Sequence, residues 1–182
     1  MSPKDICPIM VSEKAPDIAL LDVNGNRKSI VEAMDSSPAL IIFYRGGWCP
    51  YCNTHLADLR KIEKDILALG IKVIAISPDQ PKFLVESKNK HDLHYTLLSD
   101  SKMEAASAFG LAYKVDADTL SALKGYNIDL KVNSGESHEM LPVPAAILVD
   151  KDLVVRFTFV APDYTVRADN DVILAAARAM LK

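Results

Sequence analysis

One stretch, residues 39–70, constrains the fold of this chain more than any other part of its sequence. Residues 39–44 (Ala-Leu-Ile-Ile-Phe-Tyr) form an uninterrupted apolar run, which predicts a strand that is buried on both faces. Gly46 and Gly47 break the run, and residues 50–69 then place apolar side chains at spacings of three and four. That periodicity predicts an amphipathic helix that follows the buried strand directly.

Cys49 and Cys52 lie where this strand gives way to the helix. Pro50 favours the first helical turn, because proline has no N–H to leave unpaired there. Cys49 is therefore expected at the helix N-cap, where free N–H groups and the positive end of the helix dipole stabilise a thiolate. Cys52 follows one turn later, within reach of a disulfide with Cys49. The spacing predicts a redox-active pair in which Cys49 is the nucleophile.

Two cysteines at this spacing can also bind zinc, attach haem or serve as structural thiols. A structural zinc site has only Cys49, Cys52 and His55 as ligands, with no second Cys or His pair at finger spacing. Attachment of a c-type haem fails because Asn53 stands where histidine is required. Two buried structural thiols stay open as an alternative. No metal or cofactor is predicted, and Cys7 is interpreted as a bystander thiol.

The rest of the chain alternates strand and helix patterns. Asn24-Gly25 is a strong β-hairpin signal. Strands are predicted at 71–76, 95–98, 145–149 and 153–159, and helices at 80–90, 102–109, 116–123 and 170–181. This order predicts an α/β fold with a mixed central sheet flanked by helices. The whole chain, 1–182, is interpreted as one domain with an N-terminal arm at 1–14 and an insertion at 111–141.

Composition excludes several classes of partner. The net charge of −3 and the absence of clustered Lys and Arg give no footprint for nucleic acid or an anionic membrane surface. No apolar stretch is long enough to span a bilayer. The first residues lack a basic segment followed by an apolar run, so a cytoplasmic location is expected.

Several motifs together resemble the thioredoxin superfamily, and within it the peroxiredoxin branch of AhpC/TSA-type proteins. The matching segments are Ala15-Pro16-Asp17, Phe43-Tyr44-Arg45-Gly46-Gly47-Trp48-Cys49-Pro50, Ile76-Ser77-Pro78-Asp79, Leu97-Leu98-Ser99-Asp100 and Val143-Pro144-Ala145. The resemblance implies a thioredoxin-like fold with an N-terminal β-hairpin extension, and it covers about residues 14–181.

The resemblance also implies roles for particular side chains. Cys49 takes the place of the cysteine that attacks peroxide, and Cys52 would resolve the product to a disulfide. Arg156, in the late hairpin, stands where an arginine that faces the thiolate is expected, and Arg167 stands where many members have a second. Val143-Pro144 is placed to be the cis-proline opposite the cysteines. The substrate-binding residues are accordingly expected to be Gly47, Trp48, Val143 and Pro144.

Position 46 departs from the family pattern and leaves the activity open. Peroxiredoxins usually have a threonine there, whose hydroxyl hydrogen-bonds the peroxide, and this chain has Gly46. The main hypothesis is a peroxidase that reduces hydroperoxides and is restored by a thioredoxin- or glutathione-type donor. The alternatives are a thiol–disulfide oxidoreductase acting on protein disulfides and a non-catalytic redox sensor. A homodimer is implied by the resemblance alone.

Overall fold

The computed structural model describes residues 2–182, which form a seven-stranded mixed sheet with helices on both faces and a separate two-stranded sheet. The strands are β1 (Ala19–Leu21), β2 (Arg27–Ser29), β3 (Ala39–Phe43), β4 (Lys72–Ser77), β5 (Thr96–Ser99), β6 (Ala112–Lys114), β7 (Met140–Pro142), β8 (Ala145–Val149) and β9 (Val155–Val160). The helices are α1 (Ile30–Met34), α2 (Pro50–Ala68), α3 (Pro81–His91), α4 (Glu104–Ala108), α5 (Ala117–Gly125), α6 (Leu130–Ser134) and α7 (Asn170–Met180).

The central sheet confirms the predicted α/β class. Its strand order is β2-β1-β5-β4-β3-β8-β9, with β3, β4 and β5 parallel and the other neighbours antiparallel. All five residues of β3 are buried, because neighbouring strands cover its edges and helices cover both faces. The helix predicted at 50–69 is α2, which ends one residue earlier than expected. Gly70, with φ of +75°, follows the end of that helix.

The predicted N-terminal hairpin is formed by β1 and β2. Leu21 pairs with Arg27 across a turn in which Gly25 has φ of +82°, a conformation that glycine adopts without strain. The hairpin joins the main sheet through Leu21, which pairs with Ser99 of β5. It therefore extends the sheet at the edge opposite β9.

Alternation along β3 divides the apolar interior into two layers. Leu40, Ile42 and Tyr44 face a cluster that includes both Cys49 and Cys52 and packs under α2 and α7. Ala39, Ile41 and Phe43 face a second cluster on the other side of the sheet. Cys49 and Cys52 are thus part of this core and are not carried on a surface loop.

The segment 111–141 is where the structure adds most to the sequence-based prediction. Residues 112–114 and 140–142 form the small β6–β7 sheet, and of the helices α5 and α6 only the first was predicted, at 116–123. Its elements pack a third apolar cluster of their own, against which Trp48 leans. That cluster consists of Tyr113, Val115, Leu123, Leu130, Leu141 and Val143.

Residues 2–14 run outside the sheet as an irregular arm. The arm pairs with β9 through Ser12 and Glu13, which exchange backbone hydrogen bonds with Val155 at 2.8 and 2.9 Å. Among residues 2–182, no helix is both long and apolar enough to cross a membrane.

Candidate active site

Cys49 is the N-cap residue of α2, as the sequence predicted. Its backbone is extended, with φ of −87° and ψ of 115°, and Pro50 occupies the first helical turn. The Cys49 amide donates to the carbonyl of Gly46 at 3.1 Å, which closes a tight turn after β3. Cys49 is 1% exposed and Cys52 is fully buried one turn further on, and both are free thiols.

The two thiols are electrostatically unequal. A hydrogen bond from the Cys52 thiol is the main cause that lowers the pKa of Cys49 to about 6, and burial opposes it. The positive charges of Arg45 and Arg167 lower the pKa of Cys49 further. Burial, followed by the hydrogen bond and charge of Cys49, raises the pKa of Cys52 well above its usual range. Cys49 is therefore the thiol that ionises first, which suits it to nucleophilic attack.

Two guanidinium groups border the cysteine pair. Arg167 Nη2 donates to Cys52 Sγ at 3.2 Å, and its Nη1 is held by the carbonyls of Tyr164 and Val166 at 2.6 Å each. The Arg45 guanidinium carbon lies 4.2 Å from the centroid of the Tyr164 ring and 5.1 Å from that of Trp48. Arg45 is only 5% exposed, so its charge acts on Cys49 through protein rather than through water.

Arg156 is not at this site, and its expected role facing the thiolate is wrong. Its guanidinium pairs with Asp150, with Nε and Nη2 at 2.8 and 2.6 Å from Oδ2. The reason lies in the strand register: Ala145, at the start of β8, pairs with Phe43 next to the cysteine turn, and β8 leads away from there toward Asp150. Arg156 therefore lies at the opposite end of the sheet.

Val143 and Pro144 approach the cysteine turn without the expected cis bond. Among the described residues no peptide bond is cis, so the prediction of a cis-proline is wrong. The backbone around Pro144 is instead fixed by hydrogen bonds from Val143 N to Leu111 O at 2.9 Å and from Ala161 N to Pro144 O at 3.0 Å. Both residues are buried, and Trp48 packs against the cluster that contains Val143.

A cavity of about 850 Å³ opens over Cys49. Its floor is Arg45, Trp48 and Cys49, and one wall comes from α5 and the residues after it. The lining is mainly apolar and aromatic, and Tyr126 is 77% exposed at its rim. The remaining lining residues are Pro50, Tyr51, Thr119, Ala122, Leu123, Asn127, Ile128 and Tyr164. Tyr126 and Tyr164 belong to none of the sequence motifs, and the helix predicted at 116–123 was not expected to line the site.

Asp79 is a buried carboxyl group at the cysteine turn that sequence reasoning did not single out. It is 1% exposed at the end of β4, and its Oδ2 accepts from the Gly47 amide at 2.7 Å. A signal was available, because β3 and β4 are parallel neighbours and their carboxyl ends meet at one edge of the sheet. Asp79 lies two residues past the end of β4, and the cysteine turn follows β3.

The absence of threonine at position 46 has a structural cause. Gly46 has φ of +144°, which side-chain-bearing residues rarely adopt. A Cβ on Gly46 would lie 2.9 Å from Asp79 Oδ1 and 2.8 Å from Trp48 Cδ1. The space that a side chain would need is already filled by the indole and the carboxyl group.

The remaining candidate residues have no assigned part in the reaction of the two thiols. His55 is buried, and burial is the main cause that lowers its pKa to about 4, so the ring is neutral near pH 7. Among residues 2–182, no three His, Cys, Asp or Glu side chains are grouped so that they could hold a metal ion. Cys7 is exposed in the N-terminal arm.

Sequence relatives of the chain are bacterial peroxiredoxins. It is 35% identical over 104 residues to a putative peroxiredoxin bcp of Haemophilus influenzae, which is 57% of this chain and 66% of that protein. It is 28% identical over 104 residues to peroxiredoxin Bcp of Escherichia coli K12, with the same coverage of each chain. The matched region therefore spans slightly less than two thirds of the length of these relatives.

Solved structures with the same fold are also peroxiredoxins. Peroxidoxin BcpB of Mycobacterium tuberculosis superposes with a TM-score of 0.73 at 18% identity, over 94% of this chain and 98% of that one. A Xanthomonas campestris bacterioferritin comigratory protein, described by its alkyl peroxide reduction activity, gives 0.69 at 17% identity over 91% and 92%. These structures establish the thioredoxin-like peroxiredoxin fold. Since the AhpC/TSA family profile matches residues 11–158, well over half of the sequence, the chain belongs to the AhpC/TSA family.

Proposed function

We propose that the protein is a thiol peroxidase that reduces organic hydroperoxides through Cys49. One observation carries the proposal: Cys49 lines a large cavity, and a hydrogen bond from the second thiol, Cys52, lowers the pKa of Cys49 to about 6. A thiolate at neutral pH is the species that attacks an O–O bond. The peroxiredoxin relatives support the same activity.

The catalytic cycle follows from the inequality of the two thiols. The Cys49 thiolate attacks the outer peroxide oxygen, the O–O bond breaks, and Cys49 becomes a sulfenic acid while the leaving alkoxide takes a proton from solvent. Cys52 then attacks the sulfenic sulfur, and its proton leaves with the hydroxyl as water. The products are an alcohol, water and the Cys49–Cys52 disulfide. An external dithiol of thioredoxin or glutathione type returns both cysteines to thiols.

Two guanidinium groups, that of the buried Arg45 and that of the half-buried Arg167, take the role that Arg156 was expected to fill. Arg45 lies in the floor of the cavity next to Cys49, and Arg167 contacts Cys52. A guanidinium stabilises the thiolate and offers N–H donors to a peroxide oxygen. Arg45 and Arg167 are therefore proposed as the charged members of the site, with Gly47, Trp48, Val143 and Pro144 shaping it.

The lining of the cavity favours an organic hydroperoxide with a bulky apolar group. About 850 Å³ of mainly apolar space is far more than hydrogen peroxide needs, and it is within the size range of sites for drug-sized ligands. Trp48, Tyr51 and Tyr164 offer flat apolar surfaces beside the thiolate.

Consumption of cumene hydroperoxide and of hydrogen peroxide, measured with excess dithiol for the wild type, Cys49→Ser and Cys52→Ser, tests the proposal. We expect turnover of both peroxides, faster for cumene hydroperoxide, and its loss in Cys49→Ser. In Cys52→Ser, one equivalent of sulfenic acid should be trapped with dimedone. Cys7→Ser is the matched control and should behave like the wild type.

Gly46 favours a second candidate, a thiol–disulfide oxidoreductase acting on protein disulfides. No hydroxyl stands at position 46 to bind a peroxide, and the Cys49–Cys52 spacing is that of a disulfide exchange site. Reduction of insulin disulfides by the dithiol form, without peroxide consumption, would establish this function and overturn the first. The homodimer implied by resemblance stays a prediction.

A further inference from the structure

Two complementary polar groups lie unpaired behind the cysteine turn. The carboxylate oxygen Oδ1 of Asp79 and the indole Nε1 of Trp48 are both buried, and neither has a hydrogen-bond partner. Buried polar groups are nearly always paired, because an unsatisfied group costs about 1–3 kcal/mol. It is therefore unusual for an acceptor and a donor to be left unpaired at the same place.

The two groups converge on one point. A Cβ built on Gly46 would lie 2.9 Å from Asp79 Oδ1 and would contact Trp48 Nε1 as well. The indole N–H and the carboxylate oxygen therefore border the same small space beside Gly46. The other oxygen of Asp79 is already committed, since Oδ2 accepts from Gly47 at 2.7 Å and from the Ser77 hydroxyl at 3.3 Å.

The segment that Asp79 contacts is the one that shapes the Cys49 site. Residues 45–48 join β3 to the N-cap of α2, and Trp48 forms part of the cavity floor beside Cys49. The buried Arg45 guanidinium lies over the Trp48 ring. A group that fixes Gly47 and Trp48 thereby also fixes the positive charge that stabilises the thiolate.

We propose that Asp79 is a positioning residue for Cys49, which anchors Gly47 with one carboxylate oxygen and Trp48 with the other. The ionised carboxylate holds both N–H donors more strongly than the neutral acid does, because charge-assisted hydrogen bonds are stronger. The strength of both hydrogen bonds therefore depends on whether the Asp79 carboxyl group is ionised. Its effect on peroxide turnover rests on the proposed role of Cys49, whereas its effect on Trp48 does not.

The surroundings of Asp79 place its titration in a useful range. Burial is the main cause that raises the pKa of Asp79 to about 6, and the hydrogen bonds from Gly47 and Ser77 oppose it. The other titratable groups near it are Tyr44 after β3, Cys49 on α2, and Glu86 and Lys90 of α3, which line the adjoining cavity of about 230 Å³. The negative charges of Cys49 and Glu86 favour the neutral carboxyl.

Asp100 provides a matched control within the same sheet. It follows β5, the next parallel strand, and is 2% exposed. Burial likewise raises its pKa to about 6. Its carboxylate accepts from the Ala105 and Ala106 amides at 3.0 and 2.7 Å, so it caps α4 and holds no part of the cysteine turn.

The fluorescence of Trp48, the only tryptophan in the chain, tests the anchor directly. In a Cys49→Ser background, which removes the thiol's own titration, we expect the emission to change with a midpoint below about pH 6, because the charge of Cys49 that raises the pKa of Asp79 is also lost. The change should disappear in Cys49→Ser/Asp79→Asn and persist in Cys49→Ser/Asp100→Asn. Absence of a transition in the Cys49→Ser protein, or its persistence after Asp79→Asn, would overturn the proposal. Neither readout depends on peroxidase activity.

Titration of Cys49 by thiolate absorbance separates the anchor from the bare charge of Asp79. Asp79→Asn and Asp79→Ala both remove a negative charge near Cys49, which lowers the pKa of Cys49. Only Asp79→Ala also removes the acceptor that holds Gly47, so the turn loosens, Arg45 moves away, and the pKa of Cys49 should be higher in Asp79→Ala than in Asp79→Asn. Equal pKa values of Cys49 in these two variants would contradict the inference, and Asp100→Asn should leave that pKa unchanged.

Discussion

Cys49 and Cys52 occupy two regions that are only one helical turn apart, and the difference between these regions divides their work. Cys49 caps α2 at the floor of an open cavity, with Arg45 beside it. Cys52 lies in the apolar interior, where Arg167, Cys49 and the backbone of Arg45 are the polar groups that meet its sulfur. The position of each cysteine relative to the N-terminus of α2 thus decides which thiol ionises and becomes the nucleophile and which keeps its proton.

The largest effect is expected when the Cys52 thiol is removed, because the pKa of Cys49 should then rise. The Cys52 thiol donates the hydrogen bond that contributes most to the low pKa of Cys49. In Cys52→Ala that donor is lost, and we expect the Cys49 thiolate at pH 7 to fall about tenfold as the pKa returns toward its ordinary value of about 8.5. In Cys52→Ser the hydroxyl still donates, and the fall should be much smaller. Thiolate absorbance measures both variants; equal falls would contradict the role assigned to the Cys52 hydrogen bond.

Removing a guanidinium should have the next largest effect. Arg45→Met and Arg167→Met each keep an apolar stem but remove a positive charge that lowers the pKa of Cys49. We expect each to slow the reaction with cumene hydroperoxide by roughly tenfold, about 1.4 kcal/mol in the barrier. Arg156→Met is the matched control, because its exposed pair with Asp150 lies at the other end of the sheet. Stopped-flow measurement of Trp48 fluorescence follows the reaction, and slowing by Arg156→Met would restore the role first expected of it.

The pH dependence of the reaction with cumene hydroperoxide tests the low pKa of Cys49 in the wild-type protein. Because the pKa of Cys49 is lowered to about 6, the thiolate is lost as the pH falls through that value. The second-order rate constant should therefore rise with pH through about 6 and become level above pH 7. A rise that continues toward pH 9 would show that Cys49 is not stabilised as its surroundings indicate.

The smallest expected effect concerns the rim of the cavity over Cys49. Tyr126 is 77% exposed, so Tyr126→Ala should change the free energy of unfolding by less than about 0.5 kcal/mol. It should raise the KM for cumene hydroperoxide a few-fold and leave hydrogen peroxide unaffected, because only the bulky substrate reaches the rim. Equal changes for the two peroxides would contradict the proposed use of the cavity.

Prediction from sequence succeeded where a repeating pattern carried the information. Three local patterns each predict a structure without any tertiary information: the apolar run of β3, the apolar spacing in α2, and the Asn24-Gly25 turn. It failed where position depends on register: Arg156 was placed by its distance along the chain, but β8 and β9 carry it away from Cys49. Elements of three to five residues, such as β6, β7 and α6, contain too few residues for any period to be visible.

The charged members of the site show both outcomes, since the family resemblance pointed to Arg167, which does contact Cys52, but not to its link with Arg45. The two arginines are 122 residues apart in sequence, and Tyr164 joins them, because its ring lies under the Arg45 guanidinium and its carbonyl holds that of Arg167. Asp79 was visible within a matching motif, yet its contact with Gly47 follows only from the parallel pairing of β3 and β4. Local signals identified the nucleophile, and tertiary structure supplied the groups that tune it.

The small apolar cluster of segment 111–141 has a consequence for how this fold can diversify. The cluster is centred on Leu123, Leu130 and Leu141, while Tyr126, at the rim of the cavity, is 77% exposed and takes no part in that packing. Exposed rim residues can therefore vary without disturbing the cluster or the thiols. The entrance over Cys49 can change while the surroundings of the sulfur stay the same.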